Sequence, residues 1–230
     1  MPEKSTQPTV QIDYIGESRQ PVIVIDNFMQ DATSWVNYAA SGIAYQANSQ
    51  FYPGVRSPAP QAYGNELYAA IEKVVLDTFG WKGIEITACD FSLVTRSPRD
   101  LMPIQRVPHV DFMDLDGLAV LHYLCKPEHG GTSFYRHRST GYELIIADNV
   151  NQFVAKANNE VKELGIPSEG YFDDSNGQFE RIAKYESQFN RLLIYRGSLL
   201  HSANPPDDFV PDMNPASGRL TVNTFLKRRY

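Results

Sequence analysis

Cysteine is scarce in this chain, with two among 230 residues. Cys89 and Cys125 both fall in apolar, strand-like runs. They read as buried reduced thiols, with one disulfide as the alternative, and no disulfide scaffold is in prospect. Long hydrophobic stretches are missing too. Nothing approaches the roughly 18 apolar residues of a membrane-spanning helix, so no membrane partner is expected. Positive charge is not in excess: Lys+Arg 21 against Asp+Glu 27 leaves a net charge of −6. A surface that tracks phosphates is therefore disfavoured, and nucleic acid is not an expected partner. The first residues lack a basic start followed by an apolar segment, so no secretory leader and a cytoplasmic location are expected. Internal repeats, low-complexity segments and composition shifts are also absent, so residues 1–230 read as one domain. Oligomeric state leaves no mark in the sequence.

What is present is an ordinary folded composition, 42% hydrophobic and 21% charged, organised unevenly. Residues 1–20 are polar and irregular and suggest a surface arm. Residues 21–26, Pro-Val-Ile-Val-Ile-Asp, form a β-branched run and the first expected strand. Asp31 or Ser34 can cap a helix through about Ala40. Residues 51–60 read as a loop stiffened by three prolines. A second helix carries Leu67, Tyr68, Ile71, Val74, Val75 and Phe79, with Gly80 closing it. From residue 84 onward, short β-rich runs follow at 84–95, 118–125, 132–135, 179–186, 192–196 and 219–227. One helix interrupts them, from a cap at Asp148 to Gly165. Helices in residues 1–83 and strands in 84–228 imply a mainly β sandwich or open barrel with helices packed on one side.

The chemistry centres on Pro108-His109-Val110-Asp111. Two residues apart on an extended strand, His109 and Asp111 leave the same face. An imidazole and a carboxylate there can hold adjacent positions on an octahedral metal. A second histidine completes a two-His-one-carboxylate set with three open positions, which suits Fe(II). His201, after the strand and turn Tyr195-Arg-Gly-Ser-Leu-Leu, supplies it. Further on, Arg219, Thr221 and Asn223 share one face of the last strand. An inward arginine requires an anion, and a carboxylate gripped bidentately is the natural one. Arg196 is the rival anion-binder. Tyr123 shares parity with Leu121 and Cys125 and can face the same cavity, while His122 has the opposite parity and reads as outward. His129 reads as a turn residue, and His137, between Arg136 and Arg138, as solvated or substrate-facing. Asp111, Asp114 and Asp116 superficially suggest a calcium loop, but the regular spacing and closing Glu are missing. In the proline-stiffened loop, Arg56 and Tyr52 are candidates for touching substrate.

The ordered set His109-x-Asp111, Tyr123-Leu124, Gly130-Gly131, His201 and Arg219 resembles the Fe(II)/2-oxoglutarate-dependent dioxygenases. Within them it looks most like the prolyl-4-hydroxylase-like branch and its bacterial relatives. The resemblance covers roughly residues 84–228. It implies a double-stranded β-helix, a jelly roll of cupin-like form, with iron on His109, Asp111 and His201. Arg219 and Tyr123 would hold the distal carboxylate of 2-oxoglutarate, with Thr221 and Asn223 beside them. The implied reaction consumes O2, releases succinate and CO2, and hydroxylates a C–H bond of a small molecule or a peptide or protein side chain. Family halogenases replace the carboxylate ligand, and Asp111 is present here. The 18 residues from His201 to Arg219 exceed the family's usual spacing, so residues 204–215 read as an inserted loop. The helix near 148–165 and the loop 170–177 lengthen the Asp111–His201 span. Two readings from other classes stand beside this one: a non-catalytic jelly-roll binding domain with a vestigial metal site, and a zinc hydrolase on the same ligands.

Overall fold

The structure, a computed structural model, describes residues 7–47 and 50–230. Its strands are β1 (Thr9–Ile15), β2 (Gln20–Asp26), β3 (Gly54–Pro58), β4 (Gly83–Val94) and β5 (Gly117–Tyr123). They continue with β6 (Gly131–His137), β7 (Phe179–Tyr185), β8 (Arg191–Arg196), β9 (His201–Asn204) and β10 (Leu220–Arg229). Three helices, α1 (Ala32–Ala39), α2 (Gln61–Phe79) and α3 (Val150–Leu164), accompany them. A seven-stranded sheet runs β1-β2-β8-β5-β10-β4-β3, and a three-stranded sheet runs β7-β6-β9. Every named pairing is antiparallel. This is the mainly β jelly roll with flanking helices that the strand pattern anticipates.

Alternation along the strands separates two cores. Leu220 and Val222 of β10, Leu118 and Val120 of β5, and Leu192 and Ile194 of β8 pack with the helices on the outer face of the large sheet. Ala119, Leu121, Tyr123, Leu193 and Tyr195 point the other way, into the space between the two sheets, where they meet Phe134 of β6. The helices follow from simple local rules. Asp31 caps α1 by accepting from the Ser34 N–H at 3.0 Å, and α2 buries Tyr63, Leu67, Ile71 and Val75, one turn apart. Gly80, at φ +66°, ends α2 in the left-handed conformation that glycine adopts without strain.

Several expectations are corrected. Of the supposed N-terminal arm, residues 1–6 lie outside the described residues, while 9–15 form β1. Its mostly exposed side chains gave no alternating pattern, because an edge strand is held by its ladder with β2. The proline-rich loop contains β3, with Pro58 at its end beside the sheet edge. The residue flanking α3 is Asn149, whose side chain accepts from the Ile146 N–H at 2.8 Å, and not Asp148. His122 is not outward: it is fully buried beneath α2. It bonds Tyr63 Oη through Nδ1 at 2.8 Å and Asn190 Oδ1 through Nε2 at 3.1 Å. His137 is neither solvated nor substrate-facing, since it is fully buried and its Nε2 meets Glu160 Oε2 of α3 at 2.9 Å. Tertiary packing covered both, His122 on a face that strand parity called outward and His137 despite its two arginine neighbours.

Candidate metal centre and its cavity

His109 does not lie on a regular strand. It makes an isolated bridge with His201, each donating its N–H to the other's carbonyl at 2.9 Å. That reciprocal pair brings residues 92 positions apart onto one spot, and their rings sit 4.5 Å apart between centroids. His201 opens β9, directly opposite Phe134 of β6. Its Nδ1–H donates to Leu199 O at 2.8 Å, which turns Nε2 toward Asp111 Oδ2 at 3.3 Å. Asp111 is fixed through its backbone: its N–H and that of Phe112 both reach Gly197 O, at 2.7 and 3.2 Å. One ligand atom from each of His109, Asp111 and His201 lies within 4.8 Å of the others. The supposed calcium loop does not form such a group. Asp114 pairs with Lys227, and Asp116 accepts from Tyr230.

The donor set fits a metal. Neighbouring ligands of an octahedral ion at about 2.1 Å lie about 3 Å apart, close to the 3.3 Å between Asp111 and His201. The Nδ1–H bond to a carbonyl is the outer contact that fixes a ligating imidazole. Protonation differs across the set, with His109 neutral and His201 paired as a cation with Asp111 until a metal replaces its proton. The surrounding protein, reinforced by His201, lowers the His109 pKa to about 4, although His109 is itself an exposed residue, so its imidazole is neutral near pH 7. Burial also works against a charged His201, but the facing Asp111 carboxylate outweighs it and raises the pKa net. For Asp111, burial pushes upward and the His201 charge and hydrogen bond prevail, leaving it lowered. Although Asp111 counts as an exposed residue, its side chain is only 19% exposed, so the carboxylate itself sits down in the mouth.

The cavity wall behind the triad comes from the inner face of the large sheet. Arg56, Ser92, Thr221 and Tyr123 lie side by side across β3, β4, β10 and β5. Arg219, just before β10, is 3% exposed. Its guanidinium is set by His129 O at 3.0 Å from Nε and Gly131 O at 2.9 Å from Nη2. Among the described residues no acceptor meets Nη1. The Gly130-Gly131 turn is what allows this: Gly130 has φ +74°, and a Cβ on Gly131 would stand 1.9 Å from Tyr185 O. Tyr123 shares a 2.7 Å hydrogen bond with Thr132 Oγ1, and burial pushes its pKa up to about 12, so the phenol keeps its proton. Thr221 donates to Asn223 Oδ1 at 2.8 Å.

The remaining candidates sort themselves. Arg196 faces the helical side, with Nε on Gln20 and its guanidinium 5.1 Å above the Phe79 ring, so it is no rival to Arg219. His129 is a turn residue whose carbonyl serves Arg219. Tyr52 and Arg56 pack against each other beside the inner face of the large sheet. Arg56 lies 4.4 Å over the Tyr52 ring, and its charge is felt at His109 and Asp111. From the loops at 170–177 and 204–215, Tyr171 and Phe209 pack with Tyr52 and Val94. Sequence reasoning passed over Ser92, Thr132, Tyr195 and Gly197. For Ser92 a signal existed, a lone polar residue between Phe91 and Leu93 in an apolar run. Tyr195, edge-on to His201 at 5.0 Å, looked like ordinary core.

Comparison with known proteins supports this architecture. No curated protein matches the chain. Among solved structures, the fold is shared with SnoN, described as a non-heme alpha ketoglutarate dependent epimerase from nogalamycin biosynthesis. The TM-score is 0.54 at 11% identity, over 92% of this chain and 79% of that one. The carbocyclase SnoK of the same biosynthesis gives 0.53 at 12% identity, over 91% and 80%. HygX from Streptomyces hygroscopicus, solved with nickel, 2-oxoglutarate and hygromycin B, gives 0.51 at 12% identity, over 91% and 83%. A model of the family described as "Family of unknown function (DUF6445)" matches residues 6–226. On a fold shared with non-haem, 2-oxoglutarate-dependent enzymes, the chain therefore belongs to the DUF6445 family.

Proposed function

We propose that this chain is an Fe(II)- and 2-oxoglutarate-dependent oxygenase that hydroxylates a C–H bond of its substrate. The observation that carries the proposal is the convergence of His109, Asp111 and His201, with Arg219 buried behind them on the face shared with Tyr123. Bound iron with 2-oxoglutarate supplies O2 activation coupled to release of succinate and CO2. The protein's own residues do the rest. His109 presents a neutral nitrogen, His201 would give up its Nε2 proton to the metal, and Asp111 supplies the carboxylate ligand. Arg219 would pair with the distal carboxylate of the cosubstrate, its plane fixed in advance by the His129 and Gly131 carbonyls. The protonated Tyr123 phenol would add a hydrogen bond, and Thr221 and Asn223 line the same face. Tyr52, Tyr171 and Phe209 keep that end apolar, which strengthens the ion pair.

Small molecules are the favoured substrate class. HygX was solved with hygromycin B, and SnoN and SnoK belong to nogalamycin biosynthesis. Assignment to the prolyl-4-hydroxylase-like branch, with a peptide substrate, is the alternative. The test is anaerobic titration of the purified chain with Fe(II) and 2-oxoglutarate, following the visible charge-transfer band of the chelate. Wild type gives the band, H201A does not, and R219Q needs at least about tenfold more 2-oxoglutarate. Iron binding with no band would sink the cosubstrate assignment in favour of a hydrolase or vestigial site. No metal binding would leave a binding jelly roll.

A further inference from the structure

We propose that Arg56 is the receptor for a carboxylate carried by the primary substrate, making that substrate a small organic acid. This rests on the oxygenase reading above. Arg56 belongs to the inner face of the large sheet because its neighbour Val55 packs into the helical core while Arg56 pairs with the inward Ser92. It shares the row that leads through Ser92 and Thr221 to Tyr123 on the inner face of the large sheet. The Tyr52 ring, 4.4 Å beneath, holds the guanidinium by cation–π contact.

Two features mark the group as prepared for a ligand. Arg56 Nε is buried with no hydrogen-bond partner, whereas the nearby Tyr52 Oη and Ser92 Oγ lie close enough to interact with one another. Among the described residues, no carboxylate lies within ion-pair distance of Arg56. Buried polar atoms left in this state are costly unless something completes them. Charge counting says what that is. In the loaded centre, Asp111 and the two carboxylates of 2-oxoglutarate match a divalent cation and Arg219. Arg56, half-buried, is then left with one positive charge, which favours a single negative charge on the incoming substrate. A carboxylate carries one charge and presents two oxygens to the guanidinium fork, whereas a phosphate monoester brings nearer two charges.

The experiment uses the full chain, anaerobic, saturated with Fe(II) and 2-oxoglutarate. Monocarboxylates from acetate to decanoate, with benzoate, are each titrated beside the matching primary amide and, for the aromatic case, phenyl phosphate. Binding is read by calorimetry and by the shift of the charge-transfer band. At least one acid should bind about tenfold or more tightly than its amide in wild type. R56Q should erase that preference and R56K retain part of it, with the 2-oxoglutarate dissociation constant within about threefold of wild type in both. Circular dichroism and iron affinity show that the variants are folded. No acid-over-amide preference anywhere in the set overturns the assignment, as does preference for phenyl phosphate. Loss of 2-oxoglutarate affinity in R56Q and R56K would reassign Arg56 to the cosubstrate. Failure of wild type to bind 2-oxoglutarate would instead overturn the oxygenase reading, and the charge count with it.

Discussion

At the scale of single residues, the position of Asp111 is decided by a glycine that carries no chemistry. Gly197 O receives the N–H groups of Asp111 and Phe112. A Cβ at Gly197 would stand 2.3 Å from Phe112 Cδ2 and 3.3 Å from Asp111 Cβ, and one at Gly117 would meet the same ring at 2.5 Å. Phe112 is thus clamped between two bare backbones, edge-on to Phe225 at 5.4 Å, and holds the aspartate beside it. Gly197→Ala must move the ring, costing about 1–3 kcal/mol in overpacking, and must displace the carboxylate with it. Fe(II) affinity by calorimetry should fall by about tenfold or more, comparable to the loss on disturbing a metal site's supporting contacts. A variant that is less stable yet binds iron as tightly as wild type would show that Phe112 does not position Asp111.

At the scale of elements, the junction of α2 with the large sheet depends on a neutral histidine. Tyr63 Oη–H donates to His122 Nδ1, and Nε2–H donates to Asn190 Oδ1, so an added proton would break the first bond. Asn190 also accepts from the Met29 N–H and donates to Met29 O, tying the segment before α1 into the same junction. Burial lowers the His122 pKa to about 4. The unfolded chain takes up this proton near pH 6.5 and the folded chain only near 4. Stability from this group is therefore complete at neutral pH and drains away as pH falls through that window. Between pH 7.5 and pH 5 the loss is about 2 kcal/mol. Urea unfolding at the two pH values should show it, and in H122Q the acid-induced decrement should shrink by that amount. An unchanged decrement would mean that other groups carry the acid sensitivity.

At the scale of the whole molecule, the two cores share the strands between them. β10, β5 and β8 each send alternate side chains into the helical core and into the space between the sheets. Such sharing predicts one cooperative unfolding transition, and two separate transitions in calorimetry would contradict it. The candidate centre spans both sheets, with His201 on the small one and the Arg219 wall on the large one. Ligands that bind only the folded form should stabilise the entire transition. At a hundred times its dissociation constant, 2-oxoglutarate with Mn(II) should add about 2.7 kcal/mol. H201A should lose this gain while keeping the transition itself. A gain that survives in H201A would locate the binding elsewhere.

Local chemistry was enough to read much of this. The H-x-D pair, a histidine after a strand and turn, and an arginine heading the last strand are patterns of local spacing, although His109 and Asp111 are held by an isolated bridge and backbone bonds and not by the strand that the spacing suggested. Amphipathic periodicity likewise placed α2 and the glycine that ends it. The edge strands β1 and β3 escaped because their side chains are not sorted between core and water, so no period records them. His122 escaped because parity says only that a side chain leaves the cavity, and His137 because its arginine neighbours suggested a solvated patch, whereas burial depends on which helix later covers each. What only the tertiary structure decided was convergence: the His109–His201 bridge, the clamp on Phe112, and the row that brings Arg56 beside Tyr123 across four strands. Those contacts join residues far apart in the chain, and their register is set by close packing between sheets, which no local run of sequence contains.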